Sequence, residues 1–267
     1  MVTSRALPRM LCSMSGMDAT FIRAVDAVAA RAVPAAEVRD IDGWLARCTP
    51  GLATKRVNSV WPREHDPGHA IAAKLAKVEG FYSERGLPAR YQISPASQPV
   101  GLEQVLLRRG YAMGTPTGVL RCDLAAIAAE GPAPPVTVKI DPAPSSAWWA
   151  TWQAALGVGS ARRAAVAALF DRVPGERAYV TVAIDRAVAS VAVGVLDGGW
   201  LGVFNMATLP GQRRRGAGRT ALTALATWAR GRAEVGYLQV ELDNAPALGL
   251  YRTVGFELAY RYVYLTA

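Results

Sequence analysis

The pattern of apolar and polar positions divides the second half of the chain into alternating strands and helices. Valine-rich runs predict three consecutive strands joined as an antiparallel meander, with turns at Asp185-Arg186 and at residues 197–199. Apolar residues at helical spacing predict the helices, two of which begin at a serine. The predicted strands are residues 136–140, 178–184, 187–196, 200–207, 237–242 and 256–265. The predicted helices are residues 145–156, residues 160–173, a helix with the apolar stripe Ala221, Leu222, Leu225, Ala226 and Ala229, and residues 244–254 with Asn244 as the cap. This order predicts an α/β fold of the α+β type, a mixed sheet with helices on both faces.

A weak internal repeat relates the two halves of the chain. The stretch "GLEQVLLRRGYAMGTPTGVLRCDL" (residues 101–124) resembles "APALGLYRTVGFELAYRYVYLTA" (residues 245–267), because each reads as a helix, a glycine with an aromatic residue, and a strand. Upstream, the helical "IAAKLAKVEGFYSERG" and the strand "ARYQIS" match "ALTALATWARGRAEVG" and "YLQVEL". One fold used twice explains the repeat. Two ordinary helix-strand units are the alternative.

A proline-rich segment separates the two halves. It contains Pro132, Pro134, Pro135, Pro142 and Pro144 and few large apolar residues, which is typical of a linker. We therefore divide the chain into a leader expected to be disordered, a first domain, a linker that overlaps the first strand of the second domain, and that second domain. Their bounds are residues 1–17, 18–130, 131–144 and 136–267.

Composition favours a folded protein in a reducing compartment. Hydrophobic residues make up 51% of the 267 residues, enough for the cores of two domains. No uncharged run approaches the ~18 residues that a membrane span needs. Cys12, Cys48 and Cys122 lie far apart without metal-ligand spacing, which favours buried or incidental thiols and a cytoplasmic location. The opening residues are not interpreted as a secretion signal, and Met14 or Met17 is an alternative start.

The net charge of +9 is compatible with nucleic acid, acidic membranes or phosphorylated small molecules as partners. A more specific signal is "LPGQRRRGAGRTAL" (residues 209–222), in which three arginines precede two closely spaced glycines and a run of helix formers. Glycines let the backbone approach a ligand, and the N-terminus of a helix binds phosphate through free N–H groups. This stretch predicts a loop that binds a diphosphate.

Two other phosphate motifs fit this loop less well. "GAGRTA" (residues 216–221) satisfies the dinucleotide fingerprint, with Glu241 near the place of a ribose-binding acid. However, "TLPGQRRR" separates the strand from the first glycine, and too little chain follows Glu241 for further strand-helix-strand units. The Walker form fails because no Lys-Ser or Lys-Thr follows the glycines.

The arrangement of Arg213, Gly216 and Gly218 as R-x-x-G-x-G resembles the pyrophosphate loop of the GNAT superfamily of N-acetyltransferases. The likeness covers about residues 136–267 in the expected order of elements. It extends to "DNAPALGLYRTVGF" (residues 243–256), which resembles the final helix of that superfamily. The resemblance implies a GNAT acyl-CoA N-acyltransferase fold, in two tandem copies under the repeat, and acetyl-CoA as the co-substrate.

The resemblance also implies the residues of the site. The strand at residues 200–207 is expected to splay from its neighbour, often through a bulge, and its free backbone groups would hold the pantetheine arm and polarise the thioester. Tyr251 would protonate the leaving thiolate. Glu241 is the candidate base, although a carboxylate at a strand end is more often structural. The predicted cofactor-binding residues are Met206, Thr208, Arg213, Arg214, Arg215, Gly216, Ala217, Gly218, Arg219 and Asn244.

The remaining candidates concern the acceptor and metals. Arg162 and Arg163 would meet a carboxylate on the acceptor, or else form a solvated helix start. Trp148 and Trp152 share one helix face, for which core packing is the favoured role. His65 and His69 are spaced as i and i+4, but Pro67-Gly68 between them argues against a helical metal site, so no metal is expected.

The first half lacks the chemistry of the second. Leu106 occupies the position that matches Tyr251 in the repeat, and the loop position has no R-x-x-G-x-G. We expect a degenerate partner that widens the acceptor cleft or replaces a dimer subunit, so that the protein is a monomer of two tandem halves or a weak homodimer. "GWLARCTPGLATKRVNSVWP" (residues 43–62) resembles the first half of bacterial tandem GNAT proteins, some known as N-acetylglutamate synthases.

Three functions remain open on the sequence. The first is an acetyl-CoA-dependent N-acetyltransferase that acts on a small amine or amino acid, without nucleic acid or membrane partners. The second is acetylation of a protein or peptide amine. The third is a non-catalytic acetyl-CoA-binding module, against which Tyr251 argues.

Overall fold

The computed structural model describes residues 18–127 and 135–267. Within these ranges the helices are α1 (Ala19–Ala32), α2 (Ile71–Ser83), α3 (Leu102–Arg108), α4 (Ser146–Leu156), α5 (Ser160–Asp171), α6 (Ala217–Ala229) and α7 (Ala245–Thr253). The strands are β1 (Glu37–Ile41), β2 (Trp44–Cys48), β3 (Ser59–Pro62), β4 (Arg90–Ile93), β5 (Ala112–Met113), β6 (Thr117–Asp123), β7 (Val136–Asp141), β8 (Glu176–Ile184), β9 (Ala187–Asp197), β10 (Trp200–Thr208), β11 (Val235–Glu241) and β12 (Glu257–Thr266). No helix in the described ranges combines the length and the apolar composition needed to cross a bilayer.

The order of elements predicted for the second half is confirmed from β7 to β12. Strands β8, β9 and β10 form the predicted antiparallel meander. Ser145 caps α4 by accepting a hydrogen bond from the Trp148 backbone N–H at 3.1 Å, as expected of a serine at a helix start. Helix α5 also begins at the predicted serine, but that serine does not cap it. Gly159 is the N-cap there, Ser160 is already helical, and no side chain caps the helix.

All strands belong to one mixed sheet in which the last strand of each half pairs with the other half. The order along the sheet is β1-β2-β3-β4-β12-β6-β11-β10-β9-β8-β7, with β5 paired to β12 beside this path. Strand β6, from the first half, lies between β11 and β12 and is antiparallel to both. Strand β12, from the second half, pairs at its far end with β4. The halves therefore exchange their terminal strands.

The exchange agrees with the internal repeat. The order helix, strand, helix, strand occurs as α2, β4, α3, β6, with the two-residue strand β5 before β6, and again as α6, β11, α7, β12. Gly110 and Gly255 both have positive φ values, 86° and 94°, immediately before the aromatic residue of each copy. Glycine adopts this conformation without the steric cost of a side chain. The same backbone conformation therefore occurs at equivalent positions after α3 and after α7.

Packing ties the first half to the sheet of the second. On one face, α6 buries the predicted stripe that begins at Ala221 and Leu222. On the other face, α4 buries Trp148 and Trp152, whose rings stack with centroids 6.4 Å apart, so the favoured core role is confirmed. Helix α1 of the first half packs beside them, with Phe21 5.8 Å from Trp200 between ring centroids.

Cys48 and Cys122 are buried free thiols, as expected, whereas Cys12 and residues 1–17 lie outside the described residues, with part of the proline-rich segment.

A buried carboxyl group links α1 to β12. Asp26 is 3% exposed, and it accepts hydrogen bonds from Tyr260 Oη at 2.7 Å and from Ser94 Oγ at 3.4 Å. Burial raises the pKa of this carboxyl from 3.8 to about 6, although the Tyr260 hydrogen bond and the nearby Arg47 act in the opposite direction. The folded protein therefore binds a proton at Asp26 at pH values where the unfolded chain has already released it.

This linkage predicts a specific pH dependence of stability. Between about pH 4 and pH 6 the folded state binds more protons at Asp26 than the unfolded state, so this group lowers the free energy of unfolding as the pH rises. In Asp26→Asn the contribution is absent. The stability of the variant relative to the parent should increase between pH 4 and pH 7, by an amount on the order of 3 kcal/mol. Urea unfolding at several pH values measures it.

Tyr260→Phe serves as the companion variant. It keeps the carboxyl and removes a hydrogen bond that favours the charged form, so the pKa of Asp26 in the folded state should rise. The upper end of the pH range over which the free energy of unfolding falls should therefore move upward. A stability difference between Asp26→Asn and the parent that stays constant over this pH range would contradict the assignment.

Candidate active site

The site begins where β10 and β11 separate. Their parallel pairing runs from Trp200 opposite Val235 to Val203 opposite Leu238 and ends there. The pairing of β10 with β9 shifts register between Phe204 and Ala207, and the residue after Phe204, Asn205, has a positive φ of 47°. The bulge expected on this strand is thereby confirmed. It leaves the backbone of Asn205 and Met206 outside the regular pairing, at the fork between two strands.

The predicted phosphate loop lies beyond this fork, at the N-terminus of α6. Gly216 is the N-cap residue with φ 84°, a conformation that favours glycine, and no side chain caps the helix. The main-chain N–H groups of residues 216–219 donate to no acceptor among the residues that the structure describes. They form a group of free donors at the positive end of the helix dipole. Such a group is suited to a diphosphate.

Gly218 brings the loop close to the fork. A Cβ atom at this position would lie 2.9 Å from Leu250 Cδ2, 3.7 Å from Met206 Cε and 3.8 Å from Thr208 Oγ1. Thr208 Oγ1 is itself 3.0 Å from Ser190 Oγ. The absence of a side chain thus lets α6 start against the end of β10 and against α7. The structure brings the predicted residues Met206, Thr208 and Gly218 together.

The four arginines of the loop have different surroundings. Arg215 donates to Asp185 Oδ2 at 2.8 Å and to Gln212 Oε1 at 2.6 Å, which directs it toward the turn between β8 and β9. Arg219 donates to the Thr253 carbonyl at 3.4 Å. Arg213 and Arg214 are exposed, and neither pairs with a carboxylate of a described residue. These two guanidinium groups are therefore the ones left free for an anionic ligand.

A cavity of about 370 Å³ opens into the fork. From the second half it is lined by the fork residues, by Glu241 at the end of β11, and by Asn244 and Tyr251 of the final helix. Asn244 Oδ1 caps α7 by accepting from the Ala247 backbone N–H at 3.2 Å, so its side chain shapes the helix start. The lining also includes residues of the first half, so both halves form the cavity.

Tyr251 is half-buried on α7, with its ring 6.1 Å from that of Phe256 between centroids. Burial raises the pKa of its phenol above the ordinary value of 10.0. The hydroxyl group is therefore protonated at neutral pH and is a proton donor at the wall of the cavity.

The fold and the family are established by comparison. Residues 19–265 match the protein family described as "Probable histone acetyltransferase Rv0428c C-terminal". The chain belongs to this family. A search among curated proteins finds no match.

Solved structures with low sequence identity share the fold. A GCN5-related N-acetyltransferase from Kribbella flavida superposes with a TM-score of 0.71 at 18% identity, over 95% of this chain and 96% of that chain. A tandem GNAT protein from the clavulanic acid biosynthesis pathway superposes with a TM-score of 0.62 at 14% identity, over 75% of this chain and 71% of that chain. A GCN5-related N-acetyltransferase from Sphaerobacter thermophilus superposes with a TM-score of 0.60 at 18% identity, over 78% of this chain and 72% of that chain. The predicted GNAT fold is confirmed, and with the family match the chain is an acetyltransferase of the GNAT type.

Glu241 lies at the mouth of the cavity of this acetyltransferase. Its carboxylate is exposed and pairs with Lys55 Nζ of the first half at 3.5 Å. A solvated carboxylate in this place can receive a proton through water. Its role as a base stays a prediction.

Sequence reasoning missed the cavity residues of the first half. Thr54 and Arg56 follow β2 in the segment that resembles tandem GNAT proteins, but the sequence assigned neither of them to the site. Arg162 of α5 donates to Thr54 Oγ1 at 2.9 Å across the cavity wall. Gln239 on β11 also lines the cavity and lies two residues before the predicted Glu241. Strand alternation would have placed the side chains of Gln239 and Glu241 on the same face of β11. No local signal assigns Thr54 and Arg56 to the cavity, because a contact between the two halves brings them there.

Arg163 and the two histidines lie elsewhere. The Arg163 guanidinium lies over the Trp149 ring, 5.3 Å from its centroid, and does not line the cavity. His65 and His69 belong to a non-helical stretch, in which His69 Nδ1 is 3.8 Å from Asp66 Oδ2, and neither lines the cavity.

Proposed function

We propose that the chain transfers the acetyl group of acetyl-CoA to a primary amine of a small molecule or amino acid by direct attack. One observation carries the proposal: free N–H donors at the start of α6 and the protonated Tyr251 hydroxyl flank the same strand fork, in which a cavity opens. The division of labour between the halves is also a proposal. Residues 136–267 would carry the catalytic machinery, and residues 18–130 would complete the cavity and take the place of a dimer subunit.

The residues of the loop fit a coenzyme A diphosphate. The N–H groups of residues 216–219 would donate to its oxygens, and the Arg213 and Arg214 guanidinium groups would add charge-assisted hydrogen bonds. Gly216 and Gly218 present no side chain between these donors and a ligand. The bound co-substrate supplies the activated thioester, and the remaining steps belong to the chain itself.

The fork would hold the thioester arm. The backbone groups of Asn205 and Met206, released from regular pairing by the bulge, would hydrogen-bond an amide-containing arm in the manner of an added strand. An N–H group there would stabilise the negative charge that develops on the carbonyl oxygen as the amine attacks.

Two side chains would transfer protons in the reaction, one as a proton donor and one as a proton acceptor. When the new C–N bond forms and the C–S bond breaks, the Tyr251 hydroxyl would give its proton to the leaving sulfur and regain one from water. A thiol has a pKa of about 8.5 and a phenol about 10, so this transfer is feasible during bond cleavage. The proton of the attacking amine would leave through water to Glu241.

Acetylation of a protein amine is the second candidate. The family description, a probable histone acetyltransferase, favours it. The limited volume of the cavity that both halves form, about 370 Å³, supports a small acceptor instead.

The loop assignment predicts a loss of co-substrate affinity on substitution. Arg213→Met removes a charged donor, and we expect the Kd of acetyl-CoA to rise about tenfold or more. Gly216→Ala places a side chain at φ 84° and should also weaken binding by distorting the helix start. Isothermal titration with acetyl-CoA measures both effects.

Arg230→Met is the matched control for these variants. Arg230 is the exposed C-cap residue at the other end of the same helix, so its removal should leave the acetyl-CoA affinity unchanged. Parent-like affinity in both loop variants, or an equal loss in the control, would refute the assignment.

The role of Tyr251 predicts a loss in turnover without a loss in binding. Tyr251→Phe keeps the ring against Phe256 and removes the proton donor, so kcat should fall about 100-fold while the Kd of acetyl-CoA stays the same. Because burial raises the pKa of this phenol above 10.0, the parent should show no loss of kcat from its ionisation between pH 7 and pH 9. Thiol release measured across this range tests both statements. An unchanged kcat in the variant would remove Tyr251 from the mechanism.

A further inference from the structure

Two polar atoms in the cavity wall have no hydrogen-bond partner among the residues that the structure describes. Arg56 Nε and Gln239 Oε1 are both buried, and neither forms a hydrogen bond to a described residue. Both residues line the cavity at the strand fork, one from each half of the chain. A buried donor or acceptor without a partner costs free energy, and such groups are commonly satisfied by a ligand.

Arg56 lies in an aromatic environment without a carboxylate. Its guanidinium is 6.0 Å from the centroid of the Phe204 ring and donates a hydrogen bond to Tyr262 of β12, with Tyr264 of the same strand nearby. No acidic side chain of a described residue pairs with it. Arginine keeps its charge in proteins, so a cation without a counter-ion faces the cavity.

Arg162 adds a second positive charge. It reaches the cavity wall from α5, where its Nη2 donates to the neutral Thr54 Oγ1 at 2.9 Å, and no carboxylate of a described residue pairs with it. The acidic side chain in the lining, Glu241, is already paired with Lys55 at 3.5 Å. The cavity therefore has an excess of positive charge.

We infer that the acceptor amine also carries a carboxylate, which Arg56 and Arg162 bind while Gln239 Oε1 accepts from the amine N–H. This inference rests on the proposed function and specifies its substrate class as an amino acid or related carboxylate-bearing amine. A planar guanidinium matches a carboxylate in charge and in hydrogen-bond geometry. A lysine-rich peptide is disfavoured at this site, because its cationic neighbours would meet Arg56 and Arg162.

The test compares acceptors that differ only at the carboxylate. Thiol release from acetyl-CoA is measured with L-amino acids, with the corresponding α-carboxamides, and with a lysine-rich peptide. For amines that react, kcat/KM of the acid should exceed that of the amide at least tenfold. In Arg56→Met the acid should lose about tenfold or more in kcat/KM, mainly through KM, while the amide changes little. Arg56→Lys should keep part of the preference, and Arg162→Met should reduce it.

Arg163→Met provides the matched control. Arg163 is the neighbour of Arg162 on α5 but packs over Trp149 outside the cavity, so the ratio of acid to amide should not change. An amide or a lysine-rich peptide that reacts as well as the acid, or an Arg56→Met variant that slows acid and amide equally, would overturn the inference.

A binding measurement separates this inference from the proposed function. N-acetylglycine and its carboxamide are titrated into protein saturated with coenzyme A, and the carboxylate should bind at least tenfold more tightly, except in Arg56→Met. Equal binding of the two probes overturns the carboxylate inference while acetyl-CoA binding still supports the proposed function. Absence of acetyl-CoA binding in a folded sample defeats the proposed function itself.

Discussion

The central constraint of this structure is the interruption of backbone pairing between β10 and β11. Beyond Val203 and Leu238 the two parallel strands no longer hydrogen-bond to each other, and a bulge turns β10 away. Buried backbone groups must find partners, so a fork inside a sheet is stable only if other groups occupy it. The start of α6, the final helix α7 and the segment around Arg56 converge there, and a cavity remains between them. The site is thus a consequence of an incomplete sheet.

The two halves have unequal roles but a shared architecture. The first half contains a similar pair of parallel strands, β3 and β4, joined at Val60 and Tyr91. In the place of Tyr251 it has the fully buried Leu106, and it has no glycine-arginine loop. Its contribution is to supply a wall with Thr54 and Arg56 and to pack α1 against the tryptophans of α4. One half has the loop and the tyrosine, and the other half supplies part of the cavity wall.

Much of the fold and of the glycine-arginine loop before α6 could be predicted from the sequence, because both depend on short-range patterns. Strand alternation, the serine cap of α4, the glycines of the loop and the Asn244 cap are signals within one element or one turn. The exchange of β6 and β12 could not be predicted, since a strand has the same residue pattern whichever neighbouring strands it pairs with. The role of Arg56 was missed because a contact between the two halves, and not a local pattern, brings it to the cavity. The orientation of Arg215 toward Asp185 likewise depends on a hairpin that is distant in the sequence.

The position of β6 has a consequence for any attempt to shorten this protein. A fragment that starts at the second half would keep β11 and β12 but lose the strand between them, which pairs with both along most of its length. Two bare strand edges would then face each other across a gap, and unprotected edges recruit strands from neighbouring molecules. The second half therefore does not contain a complete sheet of its own, because the strand between β11 and β12 is encoded more than a hundred residues before α7.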